Sequence, residues 1–191
     1  MPRAPKKSNP SNLGELALLH RIRLRAAQTP TPELRLGIGD DCALLRPAPG
    51  EELTVTTDLS IAGRHFRLDW HPAESVGHRA LARGLSDLAA MGARPVAAFL
   101  SLALPPELVQ NPKARSAARE PQSASSARTP WIDRFLDGFL SLAQAYQVPL
   151  AGGDLAESTL AVADVVLTGA VPQGEALLRS GARPGDLIYV T

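Results

Sequence analysis

Apolar positions along the chain recur with two periods, and these divide it into helices and strands. Leu16, Leu19 and Ile22 fall at helical spacing behind Asn12 and Glu15, which have the spacing of a capping box, so a helix is expected through about Ala26. After the proline-marked loop "QTPTPE", short apolar runs at Leu34–Ile38, Cys42–Arg46 and Leu53–Asp58 read as strands, with "APGEE" a turn between the last two. Pro72 opens a long helical segment that Gly92 closes, and "PVAAFLSLAL" reads as a buried strand. Trp131, Phe135, Phe139, Leu142 and Tyr146 mark a further helix, with Thr129 as its cap and Pro130 at its first position. Strands are expected again in "VPLAGGD", "LAVADVVLTGAV" and "DLIYVT". This order lacks the regular strand–helix alternation of a doubly wound sheet. The expected class is α+β: a mixed β-sheet with helices packed on one face.

The segments without periodicity set the domain boundaries. Residues 1–12 are polar and rich in Pro and Lys and read as a disordered tail, and 13–172 read as one domain. Within it, 107–129 carries Ser, Ala, Pro and Arg with few large apolar groups and reads as an exposed, mobile insertion. Residues 173–191 read as a connection to, and first strand of, a second domain that the chain does not contain.

Composition narrows the setting. The 191 residues are 45% hydrophobic, enough for one sizeable core, and Lys+Arg 20 nearly balances Asp+Glu 19. Aromatics are only 4% and no basic face appears, which argues against nucleic acid. The single cysteine, Cys42, rules out an intramolecular disulfide and disfavours a thiolate zinc site. No run of about 20 apolar residues is present, so no membrane span is expected and a cytoplasmic protein is the default.

Four aspartates stand where packing alone would not put them: Asp41 in "GIGDDCALL", Asp58 in "TTDLSIAGRHF", Asp87 in "GLSDLAAMGA" and Asp154 in "AGGDLAE". Hard carboxylate oxygens suit Mg²⁺, which commonly bridges a few protein carboxylates to substrate phosphates. If the four converge, they need cations to offset their repulsion, and Thr56 and Thr57 would add hydroxyl and backbone oxygens beside Asp58. The competing reading gives each a separate structural task. Asp40 suits a turn, Asp154 could be a turn residue after Gly-Gly, and Asp87 could face solvent.

These motifs, with "GELALLHRI", "RALARGLSDLAAMGARPVAAFLSLALP", "YQVPLAGGD" and "RSGARPGDLIYVT", resemble the N-terminal domain of the thiamine-monophosphate kinase family, within the aminoimidazole-ribotide-synthetase-like superfamily. The resemblance covers nearly all of 14–191 except the insertion. It implies transfer of the γ-phosphoryl group of ATP to thiamine monophosphate, with Mg²⁺, in a homodimer joined through its sheets. Carried over position by position, it makes Asp41, Thr56, Thr57, Asp58, Asp87 and Asp154 metal ligands and His65 a substrate contact. It makes Gly153, Asp154 and Arg179 nucleotide contacts. For the dimer, "LTVTTDL" and "PVAAFLSLAL" are the expected interface strands.

The chain departs from the family pattern where Leu155, Ala156, Glu157 and Ser158 replace Thr-Thr-Arg-Gly, and where Gly84 replaces Asn. Two alternatives stay open: a non-catalytic dimerisation or nucleotide-binding fragment, and another ATP-using enzyme of the superfamily. Phosphoryl transfer suits the residues, because an anionic phosphate oxygen needs no strong base to attack. It needs charge neutralised and groups aligned.

Overall fold

The computed structural model describes residues 10–26, 31–110 and 129–188, of which 10–16 are described by backbone alone. In chain order the elements are α1 (Pro10–Ala26), β1 (Leu34–Leu36), β2 (Leu44–Leu45), β3 (Glu51–Ile61), α2 (Ala73–Ala90), β4 (Arg94–Leu104), α3 (Pro106–Val109), α4 (Trp131–Ala145), β5 (Leu150–Glu157) and β6 (Val162–Pro172). A 3₁₀ turn follows at Arg179–Gly181.

The four long strands form one sheet in the order β3-β6-β4-β5, so β3 and β5 are its edges. β6 runs antiparallel to β3 from Glu51↔Pro172 to Ile61↔Val162, and antiparallel to β4. β4 and β5 are parallel, and α4 lies in the crossover between them. The mixed sheet with helices on one face therefore has the expected class. As an interior strand, β4 is paired on both sides and offers no free edge to a dimer, while β3 keeps one.

Alternation along the strands assigns the faces. Ala98, Leu100, Leu102 and Leu104 of β4, with Val165 and Leu167 of β6, are buried against α2 and α4. α2 contributes Val76, Ala80, Leu81, Leu85 and Leu88 at helical spacing, and α4 contributes Ile132, Phe135, Leu136 and Phe139. The two helices cross at their glycines. A Cβ on Gly77 would overlap the Phe135 carbonyl, and one on Gly138 would overlap the Glu74 carbonyl, so only hydrogen fits at either place. A bidentate ion pair ties the same helices, with Arg134 Nε and Nη2 each 2.8 Å from a Glu74 carboxylate oxygen. That bond holds the Glu74 carboxyl below its usual range.

The second face is only partly covered. The β1–β2 ribbon lays Leu34, Ala43 and Leu45 on Val96, Ala97, Ala151 and Ala170. Arg94 fastens this side, reaching Glu33 at 2.9 Å and Glu51 at 3.1 Å. Beyond the ribbon, Leu53, Val55 and Leu59 of β3 stay exposed at 44%, 67% and 46%.

Several expectations shift. α1 already includes Asn12 instead of beginning after it, since Pro10 takes a first-turn place where a missing N–H costs nothing. Its buried stripe is Leu18 and Ile22, with Leu19 exposed. Pro130, with φ −53° and ψ 148°, itself stands at the cap of α4, displacing Thr129 by one residue. The buried face of α4 is centred on Ile132, Phe135, Leu136 and Phe139, which leaves Tyr146 exposed. Of the insertion, Pro106–Val109 forms the short α3 and 111–128 lie outside the described residues, as do 1–9 of the tail. Of "DLIYVT", 186–188 form no strand and 189–191 are not described.

Candidate functional site

The β5 edge borders a cavity of about 680 Å³, roofed by α1 and flanked by the loop between β1 and β2. Asp40, Asp41 and Asp154 line it, as do Gly153 of β5 and Arg23 of α1. Gly153 is needed for the backbone path: its φ is +146°, and a Cβ there would overlap the Leu100 carbonyl. This brings "AGGD" close against β4 and turns Asp154 outward. Asp154 Oδ1 accepts from the Leu155 N–H at 2.9 Å, and Asp40 Oδ1 accepts from the Asp41 N–H at 2.9 Å. Asp40 thus shapes the turn, and the Asp41 carboxylate stays exposed.

The β3 edge carries the other two aspartates. Thr56 Oγ1 donates to Asp87 Oδ2 at 2.6 Å, and Arg83 Nη2 pairs with Asp58 Oδ1 at 2.5 Å. Arg83 and Asp87 lie one helical turn apart on α2, while Thr56 and Asp58 share one face of β3, so helix and strand meet as two parallel rungs. Gly84 lies between the rungs, where a Cβ would be 3.3 Å from Leu167 Cβ and 3.6 Å from Thr56 Cγ2. Thr57 points to the opposite face, donating to Asp164 Oδ1 at 2.9 Å.

His65 sits just after β3 on the way to α2, exposed, with Nδ1 accepting the Ile61 N–H at 3.0 Å and its carbonyl accepting from Arg79. With Nδ1 accepting, the proton of the neutral ring sits on Nε2. Arg179 is exposed in the 3₁₀ turn.

One chain therefore groups the predicted ligands in two sets, Asp41 with Asp154 and Asp58 with Asp87 and Thr56. Three strand steps separate β3 from β5, about 14 Å at ordinary strand spacing. Among the described residues no group of three or more His, Cys, Asp or Glu is close enough to hold a metal by itself. The donors suit Mg²⁺ in its usual mode, one or two carboxylates completed by phosphate oxygens and water, and they do not form a closed protein cage.

Two features escaped the sequence reading. Arg23 lines the cavity, a position that follows from its helical phase once the buried stripe of α1 is known. Asp164, on the second face of β6, is an acid inside an apolar strand, and that local contrast was its signal.

Similarity to known proteins adds the family. Residues 39–172 match the family described as AIR synthase related protein, N-terminal domain. A thiamine-monophosphate kinase of Escherichia coli (strain K12) is 39% identical over 180 residues, covering 93% of this chain and 48% of that protein. The crystal structure of a thiamine-monophosphate kinase from Stenotrophomonas maltophilia K279a superposes with a TM-score of 0.61 at 38% identity, over 84% of this chain and 43% of the other. A ThiL structure complexed with AMPPCP and TMP superposes at 0.55 with 26% identity, over 94% and 48%. The chain spans about half the length of the curated relatives it matches. It belongs, through a match over more than half of its residues, to the family of AIR synthase related proteins in their N-terminal domain.

Proposed function

We propose that this chain is the nucleotide- and metal-binding part of a cytoplasmic kinase that transfers the γ-phosphoryl group of ATP to thiamine monophosphate, giving thiamine diphosphate. The observation that carries the reading is the meeting of "GIGDD" and "AGGD" across one cavity, which presents Asp41, Asp154 and the Gly153 backbone to the same space. The likeness to thiamine-monophosphate kinases supports these substrates. On this reading 13–172, with the first residues of α1 before it, is the working domain, and 173–191 lead to a second domain that completes the cleft.

The residues act by placement and charge. Asp41 and Asp154 would hold Mg²⁺ at the β5 edge; Asp58, Asp87 and Thr56 would serve the β3 edge. Thr57, engaged with Asp164 on the other face, brings only its backbone. The ion supplies charge neutralisation between two phosphate-bearing reactants. His65 meets the acceptor through Nε2, and Gly153 and Arg179 contact the nucleotide. The attacking group is an anionic phosphate oxygen, so no residue is required as a strong base.

A homodimer belongs to the same proposal. β3 keeps an unpaired edge beside an exposed row of Leu53, Val55 and Leu59, and a second copy would cover both. A second chain also offers a way to bring the β3 acids of one protomer toward the β5 acids of the other. Among the described residues no helix is long and apolar enough to cross a membrane.

The test is ADP release with ATP, Mg²⁺ and thiamine monophosphate. It should be run on this chain and on a version extended with the C-terminal domain of a family member. Turnover by the extended protein is expected. Its absence in a folded extended protein that binds Mg²⁺-ATP would favour the non-catalytic reading.

A further inference from the structure

We propose that Arg23 is a phosphate-contacting residue of the β5-edge cavity, an inference that rests on the nucleotide-binding reading above and extends it to a residue of α1. On a helix, Arg21 and Arg25 share a face, and Arg23 lies on the opposite one. The structure uses both faces. Arg21 and Arg25 pair with Asp133 and Asp137 of α4, which docks the helix, while Arg23 turns into the cavity.

There the guanidinium rests on the backbone of Gly39: a Cβ at that position would be 2.8 Å from Arg23 Cζ and 2.9 Å from Nη2. The missing side chain makes the seat, and the glycine φ of +134° sets its shape. Asp40, Asp41 and Asp154 line the same cavity, yet among the described residues none forms an ion pair with Arg23 within 4 Å. Among the described residues the guanidinium fork is therefore uncommitted. Arg23 is also the one Lys or Arg among the described lining residues. A free planar fork beside metal-ligating carboxylates matches two oxygens of a polyphosphate. In that arrangement the cation meets the phosphate directly, and the carboxylates meet it through the metal.

The inference predicts effects of opposite sign. Calorimetric titrations of the 191-residue protein and its Arg23→Gln variant would use inorganic tripolyphosphate alone, Mg²⁺ alone, and AMPPCP with Mg²⁺. Arg23→Gln should weaken tripolyphosphate and Mg²⁺-AMPPCP by about tenfold, the scale of one charged hydrogen-bonded contact, and should tighten Mg²⁺ alone by removing a repelling charge. Arg23→Lys, which keeps the charge and loses the fork, should fall between. If Arg23→Gln tightens Mg²⁺ and leaves both phosphate ligands unchanged, Arg23 is only a counter-charge to the aspartates and the inference fails while nucleotide binding stands. If the parent protein binds neither tripolyphosphate nor Mg²⁺-AMPPCP, the nucleotide-binding reading fails and takes the inference with it.

Discussion

The two edges of the sheet carry aspartates in different physical states. At the β3 edge, Asp58 is held by Arg83 with its side chain only 16% exposed, and Asp87 accepts from Thr56. At the β5 edge, Asp41 and Asp154 are exposed, and among the described residues the Asp154 carboxylate is engaged only with the next backbone amide. A cation arriving at β3 must displace Arg83 from Asp58. One arriving at β5 meets no ion pair to break at Asp41 or Asp154 among the described residues. The same residue type is thus part of the framework at one edge and available for binding at the other.

The strongest challenge to this contrast is steric. Gly153→Ala forces a Cβ onto the Leu100 carbonyl at a left-handed φ and should cost about 3 kcal/mol or more, read as a fall in the urea midpoint. Gly84→Ala at the other edge gains helix propensity against a tight 3.3 Å contact and should stay within about 1 kcal/mol. Equal losses would show that the β5 path does not depend on its glycine.

Next in size is the framework pair. Arg83→Met leaves a half-buried Asp58 without its partner and should cost about 2 kcal/mol. Asp154→Asn should change stability by less than about 0.5 kcal/mol. Denaturation of both variants against the parent checks the two values together, and a stable Arg83→Met protein would remove the distinction between the edges.

Binding sharpens the comparison further. Asp154→Asn should weaken Mg²⁺-AMPPCP by about tenfold, or roughly 1.4 kcal/mol, with a smaller loss for Asp58→Asn. Equal losses would mean that both edges serve one composite site. Mixing the two variants should then restore tight binding to a fraction of the dimers, a result that a site confined to one chain cannot give.

The smallest effect is a control away from both edges. The Arg134 bond lowers the Glu74 pKa from 4.5, so the pair stabilises the fold above about pH 4.5 and its contribution is lost as pH falls through the lowered folded-state value. Glu74→Gln should lose about 0.5 kcal/mol at neutral pH and nothing in strong acid, measured as paired thermal midpoints across that range.

Much of this architecture was legible because periodicity reports burial. β4 and α2 were read nearly to their ends from "PVAAFLSLAL" and from Pro72 and Gly92. Helix ends fared worse: Asn12 and Thr129 had the chemistry of caps, but prolines beside them also fit helix starts. Strand neighbours were not legible at all. Nothing local in "LTVTTDL" states that it pairs with "LAVADVVLTGAV" about a hundred residues on, so whether the four aspartates converge had no register to decide it. The phase of α1 failed for a related reason: Leu18 and Leu19 are equally apolar, and only the contact with the sheet decides which is buried.

The strand order also bears on how the chain is made. β6 is an interior strand, bonded to β3 on one side and β4 on the other, yet it is the last of the four to be synthesised. From the end of β4 at Leu104 to the end of β6 at Pro172, a ribosome adding 5–20 residues per second needs roughly 3 to 14 s. Through that interval β3 and β4 have emerged without the strand that joins them. The nascent chain therefore passes through a period in which apolar strands lack their central partner, and chaperone demand should fall once β6 is free of the ribosome to pair.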